Sequence, residues 1–305
     1  MKRTVVLGGT GYVGRHVCAA LTARGHDVLV VARTPGDGDG LRFAAMDVAA
    51  ADPGELVELL RRERPTAVVN SAGGVWNVTE AQMLHSNVRL VEHLAAALAA
   101  LEWRPRLVHL GSVHEYAPVP APSPIDERTP TAPATLYGRT KLRATEVLLA
   151  ARHEVDCTVL RVSNMLGPGA PRGSLPGLVA ERLRTAAAAG ERAVLRFRAL
   201  GAQRDFVDVR DVAGAVAECA TAERLPTVIN IGRGEATCAR TLVELLIKVS
   251  GVPADLLVEE GEGPDPADRQ QMDISVARAL LGWIPSHGLE DSVRALWGDM
   301  AARVP

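Results

Sequence analysis

The sequence predicts an α/β protein in which a doubly wound parallel sheet is followed by a smaller C-terminal region. Three observations carry that prediction. The chain opens on an apolar strand that runs into a glycine turn and a helix, strands and helices then alternate through residue 162, and the alternation breaks down beyond Gly167-Pro168-Gly169. The expected division is a first domain over 1–166, to which a strand near 227–231 returns, and a smaller domain over 167–305.

Thr4-Val5-Val6-Leu7 is the first strand. It opens into Gly8-Gly9-Thr10-Gly11-Tyr12-Val13-Gly14, and a helix follows from Arg15 to Arg24. Glycines at 8, 11 and 14 let the chain reverse, let the backbone approach a pyrophosphate, and let the helix pack closely on the sheet. The open N–H groups and the positive end of the helix dipole then face an anion. Glycine turns also occur for steric reasons alone, but a strand before and a helix after this one point to a dinucleotide and a Rossmann domain. His26 to Ala32 is a second, fully apolar strand of the two-sided parallel kind, ending in Ala32-Arg33-Thr34. The end of that strand meets the adenosine ribose, where a carboxylate accepts from a 2′-hydroxyl and an arginine accommodates a 2′-phosphate. Ala32 offers no carboxylate and Arg33 offers a guanidinium, which favours NADP(H) over NAD(H); the alternative is a solvated loop arginine.

Pro35 to Gly40 reads as a loop, and Leu41 to Val48 as a third strand ending in Met46-Asp47-Val48. A helix from Pro53 to Arg64 leads to the strand Ala67-Val68-Val69-Asn70 and the small-residue turn Ser71-Ala72-Gly73-Gly74, which permits close approach of the dinucleotide. The next helix, Glu80 to Leu101, carries Asn87 in its middle, where an amide either braces a neighbouring loop or faces water. Arg106 to Leu110 is a fifth strand that delivers Gly111-Ser112 to the carboxyl edge of the sheet, where open α/β folds bind ligands. The Pro-rich stretch from Pro118 to Pro133 is loop, a helix spans Leu136 to His153, and Cys157 to Val162 is a strand. Beyond residue 167 we expect a helix from Leu175 to Ala189 and strands over Ala193 to Leu200, Gln203 to Val209 and Thr227 to Ile231. Helices over Ala239 to Val249 and from Leu289 complete the chain.

The 305 residues, 47% of them hydrophobic and 23% charged, suit a globular protein with a substantial core. A formal net charge of −2 gives no reason to expect nucleic acid or an anionic membrane as partner. Cys18, Cys157, Cys219 and Cys238 show no paired spacing, so neither a zinc site nor a disulfide framework is expected, and Cys18 and Cys219 read as buried helix residues. Met1-Lys2-Arg3 leads straight into the first strand and no apolar run spans a bilayer, so the expected location is cytoplasmic.

Tyr137-Gly138-Arg139-Thr140-Lys141 opens a helix and places Tyr137 and Lys141 one turn apart on one face. An unperturbed phenol has a pKa near 10. A neighbouring ammonium favours the phenolate, which makes the pair a proton-transfer device if it is not simply a solvated helix face. Together with the glycine turn, Ser112 at a strand end and Tyr137-x-x-x-Lys141, the segments Leu160 to Pro168, Arg204 to Ala213, Asn230-Ile231-Gly232 and Leu280-Leu281-Gly282-Trp283 carry a family resemblance. The chain resembles the extended short-chain dehydrogenase/reductases of the NAD-dependent epimerase/dehydratase type over essentially its whole length. The resemblance implies that Ser112 hydrogen-bonds a substrate carbonyl or hydroxyl, that Tyr137 exchanges its proton, and that Lys141 also holds the nicotinamide ribose. The implied cofactor site draws on Gly8, Thr10, Gly11, Tyr12, Val13 and Gly14 of the turn, Arg33, Asp47 and Val48 at later strand ends, Ala72, Gly73, Asn87, Tyr137 and Lys141. Family substrates are mostly nucleotide-linked sugars, whose pyrophosphate would meet Asn164, Arg204 and Arg269, with Ser112, Val113 and His114 at the sugar. The alternative for Arg204 and Arg269 is an ion pair with Asp205 or Asp268. In relatives the helices corresponding to Glu80–Leu101 and Leu136–His153 form a homodimer interface, and here their apolar faces equally fit packing on the sheet.

Departures from the subfamilies choose among reactions. Family 4,6-dehydratases place an acidic pair directly after the serine position, where this chain has Val113 and His114, so dehydration is disfavoured. His114 sits where the family's NADP-using epimerase-reductases place an acid/base cysteine, and it either lines the pocket or takes part in proton transfer. The expected function is NADPH-dependent reduction of the C4 ketone of a dTDP-like 4-keto-6-deoxyhexose, a ketoreductase step of deoxysugar biosynthesis. A nucleotide-sugar epimerase, a reductase of a non-sugar carbonyl and a non-catalytic NADP-binding regulator are the alternatives.

Overall fold

The computed structural model describes residues 2–36, 40–119, 123–259 and 269–302. Asp37, Gly38 and Asp39 of the first expected loop, residues 120–122 of the Pro-rich stretch, and Asp268 lie outside them. The chain begins β1 (Arg3–Leu7), α1 (Tyr12–Ala23), β2 (Asp27–Ala32) and β3 (Arg42–Ala45). β3 is shorter than expected: its pairing with β2 ends at Ala45, and Asp47 turns the chain by accepting from the Ala49 N–H at 3.1 Å. α2 (Pro53–Glu63) starts on a capping box in which Asp52 accepts from Gly54 and Glu55 reaches back to Asp52. β4 (Ala67–Asn70) follows. The helix expected over 80–101 is broken into α3 (Glu80–Leu84), a π-turn over His85–Arg89 and α4 (Leu90–Ala99). β5 (Arg106–Ser112) runs two residues further than expected and so holds Ser112 within the sheet.

Next come α5 (Leu136–Ala150), β6 (Cys157–Val162), β7 (Asn164–Leu166), α6 (Leu175–Ala189), β8 (Ala193–Phe197) and β9 (Gln203–Asp208). α7 (Val209–Cys219), β10 (Val228–Ile231), β11 (Ala236–Cys238), α8 (Ala239–Ser250), β12 (Ala254–Val258), α9 (Ser275–Leu281) and α10 (Leu289–Ala302) complete it. The sequence reading lacks β7, α7, β11, β12 and α9. It also carries the strand at 203 into Val209, whereas Asp208 ends that strand and caps α7 by accepting from the Arg210 N–H at 2.8 Å.

Seven parallel strands form one sheet in the order β3-β2-β1-β4-β5-β6-β10. The order reverses between β1 and β4, the switch point at which doubly wound sheets open a crevice. Leu56, Leu60, Leu94 and Leu148 of α2, α4 and α5 pack one face, and Val17, Leu21, Val212 and Val216 of α1 and α7 pack the other. A third core gathers Leu183, Leu195, Leu242, Leu246 and Leu296 from α6, β8, α8 and α10. Two bonds tie α1 to the segment after β7: Arg15 donates to Gly169 O at 3.0 Å and His16 meets Pro168 O at 3.0 Å, while the Gly169 N–H in turn donates to Asp299 of α10 at 2.9 Å. Cys18, Cys157 and Cys219 are buried. Among the described residues no helix is long and apolar enough to cross a membrane, and no cluster of metal-ligand side chains occurs.

Candidate active site

The glycine turn sits at the switch point and is built from backbone in contact with backbone. Gly8 has φ +75°, and a Cβ there would lie 2.7 Å from Ala72 Cα. A Cβ on Gly14 would lie 2.1 Å from Gly8 O. Gly11 caps α1 without any side-chain hydrogen bond, which leaves the first-turn N–H groups open to an anion. Such a cradle fits the pyrophosphate of a dinucleotide. Val13 is buried in the core, and the Tyr12 ring packs edge-on against His16 with its hydroxyl buried and unpartnered, so these two can offer the site only backbone.

Three further strand ends ring this edge. Arg33 is exposed just beyond β2, and Gly36 packs against Thr10. Asp47 faces His85 at 3.3 Å, while the Val48 carbonyl meets His93 Nδ1 at 2.9 Å. Ala72 and Gly73 lie in the loop after β4, which buried Asn87 braces: its amide accepts from Gly74 N at 2.9 Å and donates to Gly74 O and to Thr140 Oγ1. Of the two sequence alternatives for Asn87, this is the bracing one. Arg33→Ala is expected to raise KM for NADPH about 10–100-fold, the weight of one or two charge-assisted hydrogen bonds, with KM for NADH within about twofold. Equal shifts for both cofactors in steady-state assays would make Arg33 a solvated surface residue.

Ser112, Tyr137 and His114 meet where α5 abuts the end of β5. Thr135 caps α5 by accepting from Gly138 N at 3.0 Å, which sets Tyr137 in the first turn. Gly138 is demanded there because a Cβ would lie 2.2 Å from His114 O. Ser112 is buried, its Oγ accepts from the His114 N–H at 3.2 Å, and it neighbours the Tyr137 phenol. Burial pushes the Tyr137 phenol up to about 12, with Ser112 opposing and a further push from the Glu115 charge. Lys141 is buried and donates to Leu110 O at 2.5 Å. Burial lowers its ammonium to about 8, with Glu115 opposing. The direct ammonium–phenol influence expected from the sequence is therefore not what sets Tyr137 in this structure. The His114 ring stands edge-on to the Tyr137 ring at 5.9 Å, and burial together with Arg204 lowers its pKa below the ordinary value.

A cavity of about 180 Å³ opens beside His114, with Val113, Tyr116 and Ile125 on its lining together with Arg204, Arg269 and Gln270. Arg204 lies on β9 and donates to Gln203 O. Arg269 pairs with Gln203 as a parallel bridge, donates to Gln271 at 2.5 Å, and has a buried Nε without a partner. Asn164 donates to Gln270 at 2.9 Å and to Asp205 O, so its amide supports that segment. Two groups were not singled out by sequence reasoning. Glu115 is fully buried behind Ser112, and Asp205 is fully buried behind Arg204, accepting from Ser163 Oγ and from the N–H groups of Arg233, Gly234 and Met272. Asp205 lies between Arg204 and Phe206 in the mixed strand β9 and Glu115 in the turn after β5, so the local pattern marks neither acid.

Comparison with known proteins follows this geometry. The family described as the NAD dependent epimerase/dehydratase family matches residues 4–232. A dTDP-6-deoxy-L-talose 4-dehydrogenase (NAD(P)(+)) of Kitasatospora kifunensis is 46% identical over 301 residues, 97% of this chain and 94% of that protein. A UDP-glucose 4-epimerase of Mycolicibacterium smegmatis is 26% identical over 95% of this chain and 96% of its own. The solved structure of RMD from Pseudomonas aeruginosa complexed with NADPH superposes with a TM-score of 0.84 at 25% identity, covering 99% of this chain and all of that one.

Proposed function

Since the chain belongs to the NAD dependent epimerase/dehydratase family, we propose that it is an NADP(H)-dependent oxidoreductase that reduces the C4 ketone of a dTDP-linked 4-keto-6-deoxyhexose. The observation that carries this reading is the junction of Ser112 and Tyr137, the latter edge-on to His114, with a cavity lined by His114, Arg204 and Arg269. The Kitasatospora relative's name supports the dTDP-6-deoxyhexose and the C4 position. The seven-stranded sheet takes the dinucleotide, and the region carrying β9 takes the sugar nucleotide.

When bound, NADPH supplies the hydride for the ketone carbon. Ser112 and Tyr137 converge on the ketone oxygen, donate hydrogen bonds to it as it gains charge, and Tyr137 gives up its proton. We assign Lys141, a buried donor one helical turn further along α5, to the nicotinamide ribose. Arg204 and Arg269 offer guanidinium forks to the diphosphate. The outer faces of α4 and α5 are the surface we assign to a homodimer.

The reading is tested by incubating purified protein with NADPH and a dTDP-4-keto-6-deoxyhexose and identifying the product by mass and NMR. Stoichiometric loss of NADPH with gain of two hydrogens supports it. Isomer exchange without net NADPH use would make the protein an epimerase, and no turnover of any nucleotide sugar would remove the reading.

The pH dependence separates Tyr137 from His114. Reduction uses the phenol, which stays protonated below its raised pKa, whereas oxidation of the C4 alcohol uses the phenolate. With the phenol raised to about 12, oxidation is thus expected to climb with pH across the assayable range without reaching a plateau, while reduction does not climb. His114, neutral at pH 7 because its pKa is lowered, is expected to act on KM: His114→Gln raises KM for the sugar nucleotide and leaves both profiles in place. A limb on the acid side of the ordinary imidazole range that disappears in the variant would transfer the proton role to His114.

A further inference from the structure

We propose that Glu115 is a positioning residue that fixes the backbone of Ser112 for the reaction; the inference rests on the reading that Ser112 donates to the substrate oxygen. The Glu115 carboxylate is fully buried and has a partner on each of three elements. Oε1 accepts the Ser112 N–H at 2.8 Å. Oε2 accepts Thr145 Oγ1 of α5 at 2.9 Å and Arg161 Nε of β6 at 2.8 Å. Room for the acid is made by Gly111, where a Cβ would lie 2.6 Å from Oε1. Arg161 is fixed in turn, its guanidinium lying 4.4 Å over the Tyr116 ring, whose hydroxyl donates to Asn230 at 2.7 Å.

A buried ion pair is a poor way to stabilise a fold, because apolar side chains of similar volume do as well or better. This one is placed where direction matters. Ser112 is the last residue of β5, beyond which the chain leaves the sheet into the turn Val113–Glu115, so the strand ladder no longer constrains its far side. The same carboxylate ties that residue to α5, the helix carrying Tyr137. One anion therefore sets the distance between the two proton-handling groups, and an error of about 1 Å at such a site costs about 100-fold in rate.

The test compares wild type with Glu115→Gln and Thr145→Val by steady-state kinetics with NADPH and the keto-sugar nucleotide. Amide hydrogen exchange of the peptide spanning Gly111 to Glu115 is followed in parallel. Glu115→Gln keeps the shape and turns an amide donor toward Arg161 or Ser112. It is expected to lower kcat about 10–100-fold with KM within about twofold, and to speed exchange at Ser112. Thr145→Val removes one donor and leaves the ion pair, giving a smaller loss of the same kind. Wild-type kcat in folded Glu115→Gln overturns the inference; if that variant does not fold, unchanged kcat and exchange in Thr145→Val overturn it. If the wild type reduces no keto sugar, the functional reading fails on its own, and the exchange result still decides whether Glu115 holds Ser112.

Discussion

Tyr137→Phe is expected to lower kcat about 100–10,000-fold, the range that a positioned proton donor supplies, while NADPH still binds. The ring stays, with its edge contact to His114, and the capped first turn of α5 is untouched. What is lost is the single hydroxyl beside Ser112 to which we assign proton transfer to the ketone oxygen. Ser112 keeps its bond from the His114 N–H, so the substrate oxygen retains one donor and a residual rate is expected. Stopped-flow hydride transfer, with NADPH affinity from fluorescence quenching as the control for folding, reads the effect. A variant within threefold of wild type would remove Tyr137 from the chemistry.

Asp205→Ala is expected to cost about 3 kcal/mol or more of stability and to raise KM for the sugar nucleotide, with NADPH affinity preserved. The carboxylate takes the Ser163 hydroxyl and three backbone N–H groups, and each donor left buried without a partner costs about 1–3 kcal/mol. For a chain of 305 residues, at about 2.1 cal/mol/K of unfolding entropy per residue, that is a fall in Tm of about 5 °C or more. The affinity effect follows from position. Met272, one of the groups held, lies three residues from Arg269 and pairs on its other side with Ile125, so the segment that presents Arg269 is pinned from both flanks. Calorimetry and KM measurements check the two effects. A normal KM in a destabilised variant would confine Asp205 to stability.

The features legible in the sequence are those in which neighbours in the chain are also neighbours in space. The glycine turn, the helix opening at Leu136 and the strands β4 and β6 depend on local patterns of period and punctuation, and they lie where those patterns put them. The site's support was hidden because it is assembled across distance: Glu115 meets Arg161, and Asp205 meets Met272, through contacts that no spacing announces. α7 was missed for a different reason. Val209 continues the apolar strand pattern, and only the capping carboxylate of Asp208 marks the change of period. The π-turn at Asn87 likewise leaves no trace in hydrophobic spacing, although it falls where that amide bonds the loop over the glycine turn.

The stitching of α1 to the C-terminal region bears on how the cleft moves. The helix that opens from the glycine turn is also tied to the segment after β7, through Arg15 to Gly169 O and His16 to Pro168 O. Gly169 has φ +78°, and a Cβ there would lie 1.7 Å from the Arg15 guanidinium, so a side chain at 169 would strain the backbone and displace that guanidinium from its bond. Swinging the regions open about this point would forfeit two hydrogen bonds, each about 0.5–1.5 kcal/mol. A change in the width of the cleft is therefore opposed, though modestly, at the helix that opens from the glycine turn.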